Sequence, residues 1–380
     1  MNHVRVSGIP AGVLMTFALL AVCLALLPSG GWATRAGAKG NRQRGGDAWS
    51  VLPPVSYKNL TLFPVRGPNT APAGDYVTLD EGIKRGTVEI TERGAGQMVR
   101  RQVRGRAQQV NMTAGDGATV NQLALVNRSG KKLLLLSGEV IVGGKQDRIV
   151  QEDRIVPPVS VPVSIDVFCV EHGRWSQRAS AGSAGAPVIA PSAQPRKAEN
   201  FYSLGAVAHP KLRGAAQDKK EQTEVWKEVS DNNARLGTDN TTGTYQEVYA
   251  SKKVAGQLEE YIAALQKEVL QPGVVGVIVA RNGEPVWADV FASQTLFAAY
   301  WPKLLKSYAV EAVGDYKSDE KPTVEQARRY LSERDGTVST AGLAGVYQLV
   351  KTEHPEYAVF VLSDISLPAP LRLHFNKMER

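Results

Sequence analysis

Apolar residues change their spacing along the chain, and each change predicts a different kind of element. Residues 9–27 are apolar almost without a break, interrupted only by small residues and Thr16. Between residues 57 and 175 the apolar runs are short and separated by Gly, Asn and Asp. Residues 59–65, 86–91 and 120–126 therefore read as strands. Lys131-Lys132 lead into Leu133-Leu134-Leu135-Leu136, apolar on both faces, which predicts a central strand, and residues 165–171 read as another. Residues 176–198 are almost entirely Ala, Gly, Ser and Pro and predict a long loop.

After that loop the period changes. Residues 215–236 and 245–270 carry apolar groups three and four apart, as at Val248, Leu258, Ile262, Leu265 and Val269, and predict helices. Pro272-Gly273 stops the second. Residues 274–280 and 286–291 flank Arg281-Asn282-Gly283-Glu284, and Asn-Gly between apolar runs predicts a hairpin. Residues 293–313 predict a helix bent or broken at Pro302, residues 323–333 another helix, and residues 343–351 and 357–363 a final strand pair. The expected fold class is α+β, an antiparallel strand-rich N-terminal half packed with a helix-rich C-terminal half containing a β-hairpin.

The first apolar run follows His3 and Arg5 and ends in Pro28-Ser29-Gly30-Gly31-Trp32-Ala33, the layout of a signal peptide over residues 1–33. An uncleaved membrane anchor is the alternative, since about 19 apolar residues can span a bilayer. A lipid-modified Cys23 is a third, opposed by Val22 where a small residue is needed. The expected location is secreted or periplasmic, or membrane-anchored by the N-terminal segment, with membrane contact only through that segment. Residues 34–55 read as a disordered linker, 56–175 as the strand-rich part, 176–198 as the loop and 199–380 as a helix-rich α+β part. Residues 56–380 are expected to form one integrated unit.

Composition narrows the function classes. The 380 residues are 43% apolar and 22% charged, ordinary globular values. Two cysteines, one in the leader, exclude a disulfide scaffold. The five histidines show no paired spacing and no phosphate loop occurs, so no metal and no cofactor is expected. The net charge is +8, but Arg93, Arg100, Arg101, Arg104 and Arg106 have no interleaved aromatics. They read as a solvated strand face, and no nucleic-acid partner is expected. Asn59, Asn111, Asn127 and Asn240 head Asn-x-Ser/Thr sequons.

The candidate chemistry lies in three motifs: Ser137-Gly138-Glu139, Gly143-Gly144-Lys145-Gln146-Asp147-Arg148 and Cys169-Val170-Glu171-His172-Gly173-Arg174-Trp175. Glu139 leaves a strand expected to be buried, where a carboxylate must be paired, hydrogen-bonded or protonated. Glu139 and Glu171 could serve as general acid and base, Arg148 and Arg174 could clamp an anion, and Trp175 could stack on a base or sugar. The competing reading is a buried ion-pair network that fixes how two sheets meet. Cys169 reads as a small buried hydrophobe. Trp226 and Asn233, seven apart, share a helix face, with Trp226 read as core. Asp289 stands in an apolar strand, as a third acid or a helix cap, and Lys303 on the helix that follows.

These motifs, with residues 225–237 and 288–312, resemble the ADP-ribosylglycohydrolase and rhodanese-phosphatase superfamily associated protein domain. The resemblance implies site roles for Glu139, Gln146, Arg148, Glu171, Arg174 and Trp175. Through the family's gene and domain associations it also implies an ADP-ribose-like nucleotide as ligand. Three functions follow: binding of an anionic or hydroxyl-rich, nucleotide- or sugar-like small ligand in a polar pocket; hydrolysis of a glycosidic or phosphoester bond by Glu139 and Glu171; or a structural or interaction module.

Overall fold

The computed structural model describes residues 49–70, 75–92, 121–173 and 201–380, with the backbone of the short strands Gln102–Val103 and Arg106–Ala107, which pair with each other. The leader, most of the linker, the 176–198 loop, most of the arginine-rich region, Asn111, and Arg174 and Trp175 lie outside the described residues.

Strand-forming segments from both ends of the chain build one nine-stranded antiparallel sheet. Its order runs Ser50–Val51, Leu60–Arg66, Val274–Arg281, Glu284–Phe291, Leu371–Glu379, Tyr357–Asp364, Tyr347–Glu353 and Thr337–Leu343, with Val55–Tyr57 also on Leu60–Arg66. The expected hairpin is its centre, with Asn282 at φ 52° and Gly283 at φ 94° in the turn. The C-terminal half is less helical than the sequence suggests, because residues 337–379 form a four-strand meander in place of a single strand pair. Both outer strands of that meander are short on long apolar runs. Thr337–Leu343 is half polar and edge-lying, and Leu371–Glu379 hides Arg372, His374, Asn376 and Lys377 in its alternation.

A second antiparallel sheet orders Tyr202–Val207, Glu139–Val142, Arg148–Val150, Val159–Cys169, Gln122–Asn127 and Val88–Glu92. A third, of three strands, places Lys132–Leu135 between Arg154–Val156 and Tyr76–Thr78. The four leucines behave as their pattern predicts. Leu134 and Leu136 join the largest core, while Leu133 and Leu135 face the core between the second and third sheets.

The helix Gln294–Ala312 lies where these layers meet. It is apolar over most of its circumference, with Thr295, Ala299 and Pro302 forming an exposed strip, and it runs through Pro302 without a break. Its polar side chains bond to each neighbour. Tyr300 donates to the Leu134 carbonyl at 2.7 Å, Trp301 to Gln266 at 2.9 Å in the helix Lys252–Val269, and Ser307 to Ala208 at 2.7 Å. Two sequon asparagines are likewise structural. Asn59, 2% exposed, donates to Ala312 and accepts from Tyr261, and Asn127 donates to Lys131 and Val156.

At Gly276 in the hairpin, a Cβ would stand 2.4 Å from the Asp289 carbonyl and 2.6 Å from the Val290 Cα, both backbone atoms of the paired strand. Gly276→Ala should therefore cost about 3 kcal/mol, read as a lower urea midpoint with an unchanged m-value. A wild-type midpoint would disprove the close approach.

Candidate functional site

Strand alternation puts Trp287, Asp289 and Phe291 on one face of Glu284–Phe291, and pairs Asp289 with Asn376 and Phe291 with His374 on the next strand. The Asp289 carboxylate is fully buried and accepts from five side chains. Arg213 grips it with both terminal nitrogens at 2.9 and 3.2 Å, Trp287 Nε1 donates at 2.8 Å, and His374 Nε2 and Asn376 Nδ2 each stand at 3.0 Å. The Tyr308 hydroxyl from the central helix completes the set. His374 Nδ1 meets Asp153 at 2.5 Å, and Asp153 accepts from the Ser137 amide at 2.7 Å. Burial alone would raise Asp289, but Arg213 and His374 hold it far below the usual carboxylate range. Burial alone would lower His374, but Asp153 and Asp289 outweigh it and carry it up to about 9.

The Ser-Gly-Glu motif is the junction between this network and a second one. Ser137 donates to Asp153 and its carbonyl accepts from Arg213 Nε at 3.2 Å. Gly138, at φ 81°, leaves room for Arg213, whose Cγ would lie 2.5 Å from a Cβ there. Glu139, 1% exposed, accepts from the Leu136 amide at 2.9 Å and from Lys303 of the central helix. Lys303 also reaches Asp80 at 2.5 Å, and Ser203 donates to the same Asp80. Burial, helped by the Asp80 charge, pulls Glu139 up against the pull of Lys303. Lys303 outweighs burial at Asp80, which is held low.

The other motif residues form a third group. Gln146 Nε2 donates to the Glu171 carbonyl at 2.8 Å, and the Asp147 amide to the Glu171 carboxylate at 3.1 Å. Arg148, 1% exposed, donates to the Gln146 carbonyl and stands 3.7 Å from Glu92. Gly144, at φ 58°, sits where a Cβ would strike Phe201 and Glu92. Burial pushes the Cys169 thiol up to about 11. The structure thus brings Gln146, Arg148 and Glu171 together and puts Glu139 elsewhere. By strand register Glu139 aligns with Val150, four residues beyond the Gln146 level, or about 13 Å along the strand.

Immediately past Glu171 the chain borders an open groove of about 550 Å³. His172 and Gly173 form one side. Thr223, Trp226, Ser230 and Asn233 of the helix Gln222–Leu236 form another, and residues 239–243 close the end. The motif holds that end loop in place: Gly173 donates to the Thr242 carbonyl at 2.8 Å, and Thr244 donates to Asp147 at 2.8 Å. His172 meets Trp226 edge-on at 4.6 Å between ring centres. Trp226 Nε1 is buried without a hydrogen-bond partner among the described residues.

The ARG and Rhodanese-Phosphatase-superfamily-associated Protein domain (ARPP-1) matches residues 48–361. The chain belongs to this family. No curated protein and no solved structure matches it. All three motifs fall inside the ARPP-1 match, as do the groove and the Asp289 network except for His374 and Asn376. Arg213, His374, Asp153 and Asp80 escaped the sequence reading of this ARPP-1 chain, because each stands alone in sequence among ordinary neighbours. Asp289 and Lys303 did carry a signal, a charge inside an apolar element. Trp226, read as core, is half-buried on the groove.

Two measurements check the ARPP-1 networks. Glu139→Gln must turn an amide N–H toward either Lys303 or the Leu136 amide, so it should lose about 2 kcal/mol in chemical denaturation; Lys303→Met, leaving two carboxylates uncompensated, should lose more. Stability equal to wild type in both would refute the pairing. His374 has its folded pKa raised from 6.5 to about 9. Its contribution is therefore full below about pH 6.5 and is lost as pH rises through 9. The melting temperature should fall over that window and do so less in His374→Gln; parallel profiles would show that His374 is not the titrating group.

Proposed function

We propose that this chain is an exported binding protein for a hydroxyl-rich small ligand, of sugar or nucleoside type, held in the groove between His172 and the helix Gln222–Leu236. The carrying observation is the composition of that groove. A half-buried indole, an imidazole and several hydroxyls border a space within the usual range for small-ligand sites. A sugar ring matches such a lining because it offers an apolar face to an aromatic ring and hydroxyls to the threonine and serine hydroxyl groups. Among the described lining residues the one lysine or arginine is Lys227, faced by Asp231 at 2.7 Å, and Asp239 also borders the space. The balance of charge favours the hydroxyl-rich ligand over a strongly anionic one. Export rests on the leader pattern alone.

Titration of the full chain with ribose, glucose and ADP-ribose, followed by indole fluorescence, should give saturable binding of at least one of them. Trp226→Ala should weaken that binding about tenfold, the 1.4 kcal/mol expected of one aromatic contact. Absence of saturation by all three, or unchanged affinity in Trp226→Ala, would remove the reading. Release of a cleaved product would instead favour hydrolysis.

A further inference from the structure

Three pieces of chain wall the groove: the segment at His172 and Gly173, the helix Gln222–Leu236 and the loop at residues 239–243. They meet at Thr244, which is 6% exposed and lies outside the lining. Its carbonyl accepts from Asn233 Nδ2 of the helix at 3.3 Å and from Asn240 Nδ2 of the loop at 3.2 Å. Its amide donates to Asn240 Oδ1 at 3.0 Å. Toward the first wall it pairs with Glu171 in an antiparallel bridge, and its hydroxyl donates to Asp147 Oδ2 at 2.8 Å. The same hydroxyl accepts from the Gln246 amide at 3.2 Å. The seam has no slack on either side. The Tyr245 amide donates to the Val170 carbonyl at 2.9 Å, and a Cβ on Gly173 would stand 3.1 Å from the Thr242 Cα.

Asp147 is fully buried and is itself fixed through backbone and side chain. Its Oδ1 accepts from the Gly143 amide at 3.3 Å, its carbonyl from the Val170 amide at 3.0 Å, and its own amide donates to the Glu171 carboxylate at 3.1 Å. A β-branched side chain has few χ1 choices, so holding the Thr244 hydroxyl also holds the Thr244 backbone. That backbone is where the helix and the loop attach. A hydrogen bond to a carboxylate, roughly twice as strong as one between neutral groups, suits such a junction.

Resting on the reading of the groove as the ligand site, we propose that Thr244, anchored by Asp147, is the positioning residue that sets the spacing of the three walls. Affinity in the groove then depends on a bond that no ligand touches, because walls fixed before binding need little reorganisation. Gln146, Asp147 and Glu171, none of them on the lining, serve the ligand through Thr244 and not by contact.

The test combines peptide-resolved hydrogen exchange with indole-fluorescence titration on the full chain and its Thr244→Val and Thr244→Ser variants, with ribose, glucose and ADP-ribose as probes. Thr244→Val keeps the shape and removes the hydroxyl, whereas Thr244→Ser keeps the hydroxyl. The amides of residues 243–245 are all hydrogen-bonded in the wild type. In Thr244→Val they should exchange at least about tenfold faster, while those of the helix Lys252–Val269 keep their wild-type rates. The dissociation constant of whichever probe saturates the wild type should rise about fivefold, and Thr244→Ser should restore both quantities to within about twofold. Unchanged exchange in Thr244→Val, faster exchange with unchanged affinity, faster exchange spread through the helix as well, or no rescue in Thr244→Ser overturns the proposal. If none of the three probes saturates the wild type, the ligand reading falls by itself. Local exchange that speeds in Thr244→Val and recovers in Thr244→Ser then still supports Thr244 as the residue that positions the walls, and unchanged exchange overturns it.

Discussion

A carboxylate with no access to water must find all its partners inside the protein, and at Asp289 that constraint ties the layers together. Its donors come from its own strand, the neighbouring strand, the short helix Pro210–Gly214 and the central helix. Through His374 and Asp153 the chain of charges reaches the Ser137 amide at the head of the second sheet. Asp153, His374, Asp289 and Arg213 alternate in sign, so no charge in the row is buried beside its like. Such networks contribute little net stability compared with a well-packed apolar core, because desolvation offsets the attraction. What this one contributes is position: a shift of either sheet against the central helix would leave several buried donors without an acceptor.

The Glu139–Lys303–Asp80 group repeats the logic about one and a half turns along the same helix, where Lys303 precedes Tyr308 by five residues. Between the two groups, the Ser137 backbone bonds to Asp153 and Arg213, and Gly138 leaves room for Arg213 beside Glu139. The charge of Glu139 in the Ser-Gly-Glu motif is thereby absorbed by architecture, through bonds to Lys303 and the Leu136 amide. The Gln146–Glu171 group is different, because it braces the walls of an open space. Glu171, Asp147 and Gly173 hold the loop at residues 239–243 in place beside Trp226. Rigid backbone around a half-open aromatic ring is the arrangement in which binding costs little reorganisation.

The helix Gln222–Leu236 then carries two unlike surfaces, hydroxyls and indole on one side and the carboxylates of Glu224 and Glu228 on the other. Its apolar residues, Val225, Val229 and Leu236, are few and buried. The helix is held by its ends and by this narrow stripe, which leaves both flanks open.

Local pattern determined much of this protein. The apolar run at residues 133–136, the Asn-Gly turn at 282–283 and the three-and-four spacing of residues 254–269 each dictated an element, because burial acts on neighbours a fixed distance apart. The same rule marked Glu139 as a carboxylate in buried surroundings that would need a partner, and Asp289 as a charge in an apolar strand. Which partners they take was decided only by tertiary structure. Asp289 meets Arg213 and His374 across separations of 76 and 85 residues, and Lys303 meets Glu139 across 164. Periodicity carries no information over such distances. The four-strand end of the chain was harder to read for a related reason: Thr337–Leu343 is half polar, and in Leu371–Glu379 the alternating polar residues His374 and Asn376 face buried partners instead of solvent. Whether a charged motif holds a core together or lines an opening depends on what folds over it, and that is a property of the assembled layers alone.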